Sequence, residues 1–137
     1  MPYLLDTNTM SDLIRNPHGR VAQQIRRVGV GQVCTSIIVA AELRYGAAKK
    51  ASARLSSQVE SVLGAIAILP LEKPVDRTYG LLRTGLERTG RIVGANDLLI
   101  ASQAVTLGYT LVTDNEREFE RVEGLSRENW LRGSQRK

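Results

Sequence analysis

Only one cysteine, Cys34, and one histidine, His18, occur in a chain of 137 residues. A lone cysteine excludes an internal disulfide. The pair also cannot build an ordinary zinc site, which takes three or four Cys, His or acidic ligands. Aromatics are scarce too, with four Tyr and one each of Phe and Trp, so base-stacking platforms like those of single-strand nucleic-acid binders have little to be made from. The longest apolar runs, Ile37 to Ala41 and Ala65 to Leu71, fall far short of the roughly 18 residues a membrane span needs. The opening segment shows no basic region followed by an apolar stretch, so nothing marks it for export or insertion. With a single cysteine, this predicts a reducing, cytoplasmic setting. Walker-type phosphate loops, Gly-x-Gly-x-x-Gly turns, internal repeats and low-complexity tracts are all absent, which removes the usual nucleotide-binding loops and the solenoid folds.

What is present describes one soluble domain. At this length roughly two thirds of the unfolded surface can be buried, enough for one sizeable core. Hydrophobic residues make up 42% and charged residues 24% of the chain, as in ordinary globular proteins. The net charge is +5, from 19 basic residues, most of them Arg, against 14 acids. An anionic partner is therefore plausible on charge, and Arg15, Arg20, Arg26, Arg27, Arg44, Lys49, Lys50 and Arg54 could form a track for a nucleic-acid backbone. For any one of them a solvated surface is the blander explanation. One domain is predicted over residues 1–130, with 131–137 as a polar, basic tail expected to fray.

Strand and helix signals alternate along the chain. Tyr3 to Leu5 reads as a buried strand, ended by the capping types Asp6, Thr7 and Asn8 at the head of a short helix to Arg15. A second helix spans Arg20 to Val28, a second strand Val33 to Thr35, and Ser36 caps a helix to about Lys50. Ala53 to about Ala65 is helical, Ile66 to Leu69 is a third strand ended by Pro70, and Pro74 opens a helix to about Arg88. Asn96 to Leu107 forms a helix stopped by Gly108, followed by a strand over Tyr109 to Thr113. Glu116 to Trp130 looks irregular, with one more short strand at most. Alternation with short connections predicts an α/β fold with a mainly parallel sheet of four or five strands flanked by helices.

In such sheets ligands bind beyond the carboxyl ends of the strands, and Asp6 and Asp114 each directly follow a strand. Asp97 is more telling. On a helical wheel it lies among Ile100, Ala101, Ala104 and Val105, where a carboxylate loses hydration unless a base, a metal or a helix terminus compensates it. It could also simply cap its own helix. Glu42 sits at the edge of an expected apolar face of Ile37, Ile38, Ala41, Tyr45 and Ala48, beside Ile38 and Tyr45, with a salt bridge as its plainer explanation. Capping explains Asp6 alone, and a turn explains Asp114 alone. Four such placements could converge at one sheet edge, and clustered carboxylates take up protons unless a divalent cation neutralises them. An all-oxygen donor set favours Mg²⁺ or Mn²⁺ over zinc, and many nucleases cut phosphodiesters with such a site.

The ordered set Leu5-Asp6-Thr7-Asn8, Ala41-Glu42-Leu43-Arg44-Tyr45-Gly46-Ala47, Gly94-Ala95-Asn96-Asp97-Leu98-Leu99-Ile100-Ala101 and Leu111-Val112-Thr113-Asp114-Asn115 followed by Arg117-Glu118-Phe119 resembles the PIN-domain ribonucleases, and within them the VapC toxins of bacterial toxin–antitoxin pairs. The resemblance runs from Leu4 to Trp130. It implies a PIN-like three-layer sandwich and a metal-dependent endoribonuclease with Asp6, Glu42, Asp97 and Asp114 as catalytic and Mg²⁺- or Mn²⁺-binding acids. Asp114 could instead position water, and Asn8, Asn96, Thr113 and Asn115 could hold waters or substrate phosphates. The resemblance also implies a structured RNA substrate such as transfer RNA, a homodimer, and a VapB-like antitoxin that covers the acidic pocket and alone contacts operator DNA. Two other readings stay open: a catalytically silent binding module whose acids dock a basic tail, and a phosphotransferase with Asp6 as nucleophile, for which Asn8 stands where a second acid would be wanted.

Overall fold

The computed structural model describes residues 2–132. Five parallel strands form one sheet in the order β3-β2-β1-β4-β5: β1 Tyr3–Leu5, β2 Val33–Ser36, β3 Ala67–Leu69, β4 Thr110–Val112 and β5 Ser126–Glu128. Seven α-helices flank it among the described residues: α1 Thr7–Arg15, α2 Arg20–Val28, α3 Ile37–Lys50, α4 Ala53–Ala65, α5 Val75–Arg88, α6 Ala95–Leu107 and α7 Glu116–Phe119. The predicted α/β class and the upper of the two strand counts are what the structure has. None of these helices is long and apolar enough to cross a membrane.

The chain lays β2 and β3 to one side of β1, then returns to lay β4 and β5 on the other. The order therefore reverses between β1 and β4, the kind of switch point at which parallel sheets form a ligand-binding crevice beyond the strands' carboxyl ends. These two central strands are apolar on both faces, and Leu4, Leu5, Leu111 and Val112 are fully buried. Their ends are locked together: the Asp6 N–H and the Thr9 hydroxyl both donate to the Val112 carbonyl, each at 3.0 Å.

Two features differ from the sequence expectations. In α3 the buried residues are Val39, Ala40, Leu43 and Ala47. Of the expected face, Ile37, Ala41, Tyr45 and Ala48 are exposed, Tyr45 by 65%. This helix carries apolar side chains around most of its circumference, so periodicity alone selects no face. The stretch after Asp114 is also more ordered than expected, holding α7, with Phe119 fully buried, as well as β5. All three residues of β5 are exposed and polar, which suits an edge strand and explains why no apolar signal announces it.

Cys34 and Trp130 pack in the core as their contexts suggest. The Trp130 ring lies 5.1 Å from that of Tyr3 in a tilted arrangement. The first two tail residues are held: Arg20 donates to the Leu131 carbonyl at 3.3 Å, and the Leu131 and Arg132 N–H groups both donate to Asn129 Oδ1. The rest of the expected frayed tail, 133–137, lies outside the described residues.

Candidate active site

Asp6 leaves β1 and becomes the N-cap of α1, its Oδ1 accepting the Thr9 N–H at 3.0 Å. The capping role foreseen for it is real, but it does not account for the burial. Asp6 is only 3% exposed, and this burial raises its pKa above the ordinary value. Hydrogen bonds from the Thr113 side chain and the Thr9 N–H partly offset the rise, and the charge of Asp114 adds to it.

Asp97 stands in the first turn of α6, a helix that buries Leu98, Ile100, Ala101, Ser102, Gln103 and Ala104. No hydrogen bond or salt bridge reaches its carboxylate among the described residues. Its pKa is pushed up to about 6, first by burial and then by the negative charges of Asp6, Glu118 and Glu42. Asp6, Glu118 and Glu42 therefore lie near enough to Asp97 for their charges to act on it. Its position at a helix amino terminus favours the anion but does not outweigh burial and three like charges.

Glu42 lies at the edge of the buried face of α3. Its two oxygens are held by separate elements: the Thr7 hydroxyl donates to Oε1, and Asn96 Nδ2 donates to Oε2 at 3.0 Å. Among the described residues no salt bridge reaches Glu42. Arg44, two residues further along α3, pairs with Glu60 through two contacts of 2.8 and 2.9 Å, which commits one cation of the expected basic track to a surface pair. Asp114 is more peripheral. Its carboxylate is 41% exposed, accepts from Asn129 Nδ2 at 3.0 Å, and lies 3.9 Å from Arg132 Nε.

The structure therefore brings Asp6, Glu42 and Asp97 together and places Asp114 beside Asp6, at the rim. It adds Glu118, which the sequence reading quoted but did not select. Glu118 accepts the Gly94 N–H at 3.1 Å and acts electrostatically on Asp97. The signal available for it was a run of helix formers directly after Asp114-Asn115, with Phe119 as an apolar anchor. Such a run folds back over the strand end and carries its acid to the crevice. Among the described residues no salt bridge reaches Asp6, Glu42, Asp97 or Glu118, and no three Asp, Glu, His or Cys side chains converge closely enough to form a ready-made metal cage. The arrangement is a loose, uncompensated acidic cluster of hard oxygen donors.

The PIN domain family model matches residues 3–125. The chain belongs to the PIN-domain family. Among curated relatives of this PIN domain, Ribonuclease VapC2 of Rickettsia felis is 38% identical over 132 residues, covering 95% of this chain and 98% of the relative. The tRNA(fMet)-specific endonuclease VapC of Shigella flexneri is 35% identical, with coverage of 95% and 98%. Among solved structures, VapBC2 of Rickettsia felis bound to a promoter DNA fragment superposes with a TM-score of 0.88 at 37% identity, covering 95% of this chain and 99% of that one. DNA-bound VapBC of Salmonella typhimurium gives 0.87 at 33% identity, with coverage of 95% and 98%. The PIN-like α/β fold read from the sequence agrees with these superpositions.

Proposed function

We propose that this PIN domain is an endoribonuclease toxin that hydrolyses RNA phosphodiesters with a divalent cation, Mg²⁺ or Mn²⁺, bound among Asp6, Glu42 and Asp97, with Asp114 and Glu118 at its rim. The observation that carries this reading is Asp97: a half-buried carboxylate on which the charges of three other acids act, with no basic partner among the described residues. A folded protein keeps such an arrangement at a cost in stability unless something else offsets the charge. Hard oxygen donors with uncompensated negative charge suit a hard divalent cation. Such a cation supplies Lewis acidity to the phosphodiester and makes hydrolysis by water feasible at neutral pH.

The protein's own contribution is placement. Asp6 is fixed by its cap on α1, Glu42 by Thr7 and Asn96, and Asp97 by the packing of α6. Structured RNA such as transfer RNA is the proposed substrate class, in line with the tRNA(fMet)-specific endonuclease of Shigella flexneri among its relatives. The proposed regulator is a VapB-like antitoxin that covers the acidic crevice and alone carries the complex to operator DNA; its support is that two of the structural neighbours are VapBC complexes bound to DNA. A homodimer in the cytoplasm completes the proposal, and the exposed Ile37, Ala41, Tyr45 and Ala48 of α3 offer an apolar face for it.

The phosphotransferase reading fits less well. Asp6 is 3% exposed and has one oxygen tied to the Thr9 N–H, which leaves it poorly placed as a nucleophile. A silent binding module would keep the acids without cleaving RNA. Induced expression in a bacterial host separates these readings. Wild type is expected to stop growth and protein synthesis while Asp97→Asn does not. Equal toxicity of the two proteins would remove Asp97 from the mechanism.

A further inference from the structure

Glu42 is held in an unusual way. It projects from the 14-residue helix α3, yet neither of its fixed hydrogen bonds stays on that helix. Thr7, in the first turn of α1, donates its hydroxyl to one oxygen, and Asn96, in the first turn of α6, donates its amide to the other at 3.0 Å. Among the described residues these are the only hydrogen bonds made by the Thr7 and Asn96 side chains.

Both donors are neutral. A Lys or Arg in either place would orient Glu42 equally well, but it would also cancel the negative charge on which a cation depends. A hydroxyl and an amide orient the carboxylate and leave its charge in the crevice. A free Glu side chain loses rotamer entropy when it is fixed. Two charge-assisted hydrogen bonds from separate elements meet that cost before any ligand arrives.

We infer that Thr7 and Asn96 are positioning residues that hold Glu42 in the acidic cluster, with its charge intact, for a divalent cation. The inference rests on the nuclease reading of the cluster. It assigns Asn96, which immediately precedes Asp97 in sequence, to Glu42 on another helix rather than to substrate. The alternative is that the two bonds merely tie α1 and α6 to α3.

The test is calorimetric titration of Mn²⁺ into the full, RNA-free chain, comparing wild type with Asn96→Ala, Thr7→Val, Thr7→Ser, Glu42→Gln and the double variant Glu42→Gln/Asn96→Ala. Melting temperatures are recorded for each protein. Removing a group that orients a metal ligand commonly costs about 10- to 100-fold in metal affinity. A loss of about tenfold is expected for Asn96→Ala and for Thr7→Val, with Thr7→Ser close to wild type because it keeps the hydroxyl. The double variant should bind no more weakly than Glu42→Gln alone, since each change removes the same interaction. In RNA cleavage kcat should fall with KM for RNA unchanged.

If Glu42→Gln binds Mn²⁺ as wild type does, Glu42 is no ligand and the nuclease reading of its role fails. If Glu42→Gln is weakened while Asn96→Ala and Thr7→Val bind normally, the positioning inference alone is overturned. Losses that add fully in the double variant, with lowered melting temperatures, would assign the two bonds to the scaffold and overturn it as well. Should Asn96→Ala fail to fold, the comparison of Thr7→Val with Thr7→Ser decides.

Discussion

Asp97→Asn should make the metal-free protein more stable while destroying its proposed activity. In the fold the Asp97 carboxyl has its pKa raised from 3.8 to about 6, by burial first and by Asp6, Glu118 and Glu42 after it. The folded state thus binds this proton more tightly than the unfolded chain does. Stability contributed by the group is greatest below pH about 4, falls as pH rises toward 6, and stays at its lower value above that. Each tenfold change in the protonation equilibrium is about 1.4 kcal/mol, so the two-decade difference would cost about 3 kcal/mol above pH 6 if fully expressed. Asp97 is only half buried and solvent screens its neighbours' charges, which brings the expected cost to roughly 1–2 kcal/mol. Asn is nearly isosteric and carries no charge, so it removes that cost. In a domain of this size the gain corresponds to a rise in melting temperature of roughly 3–8 °C. Urea unfolding in EDTA at pH 5 and pH 7.5 measures it. The variant should lead at pH 7.5, lead by less at pH 5, and lose its lead when a divalent cation is added, because only wild type gains fully from binding it. A variant that is no more stable than wild type at pH 7.5 in EDTA would refute the account of Asp97 as an uncompensated charge.

Other outcomes follow from the packing. Phe119→Ala empties a fully buried position and releases the short helix that carries Glu118, so urea unfolding should show a loss of about 3–5 kcal/mol. Ser52→Ala removes the hydroxyl that accepts the Leu55 N–H at the head of α4, for a loss of about 1 kcal/mol in the same assay. Burial pushes the Cys34 thiol up to about 11, so alkylation at pH 8 should be slow in the native protein and fast in urea; rapid native labelling would contradict the core position.

How far sequence reasoning reached varies with the physics of each element. β1 and β4 are apolar on both faces and end near residues that cap or turn, so pattern alone gives the bounds of β1, those of β4 to within one residue at each end, and the placement of Asp6 and Asp114 just beyond the two strands. Asp97 stood out because its helix neighbours are apolar on both sides, and the structure retains that conflict between charge and burial as a raised pKa. The face of α3 on whose edge the sequence pattern places Glu42 is largely exposed, and Glu42 lies instead at the edge of the face formed by Val39, Ala40, Leu43 and Ala47. A helix apolar on several sides gives no unique periodicity, and only the tertiary contacts of α3 decide which side turns inward. Its hydrogen bonds to Thr7 and Asn96 span separations of 35 and 54 residues, which no local pattern encodes. β5 was left open because Ser126, Arg127 and Glu128 lie in an exposed edge strand, where side chains carry little information about pairing.

On the proposed function, the acids gathered around Asp97 cut RNA with a divalent cation. The most direct measurement is incubation of purified, antitoxin-free protein with total transfer RNA in Mg²⁺, in Mn²⁺ and in EDTA, with Asp97→Asn in parallel. Discrete fragments that appear only with metal, and at least about a hundredfold more slowly in the variant, are the predicted result. Equal cleavage by both proteins, or cleavage undiminished in EDTA, would contradict it.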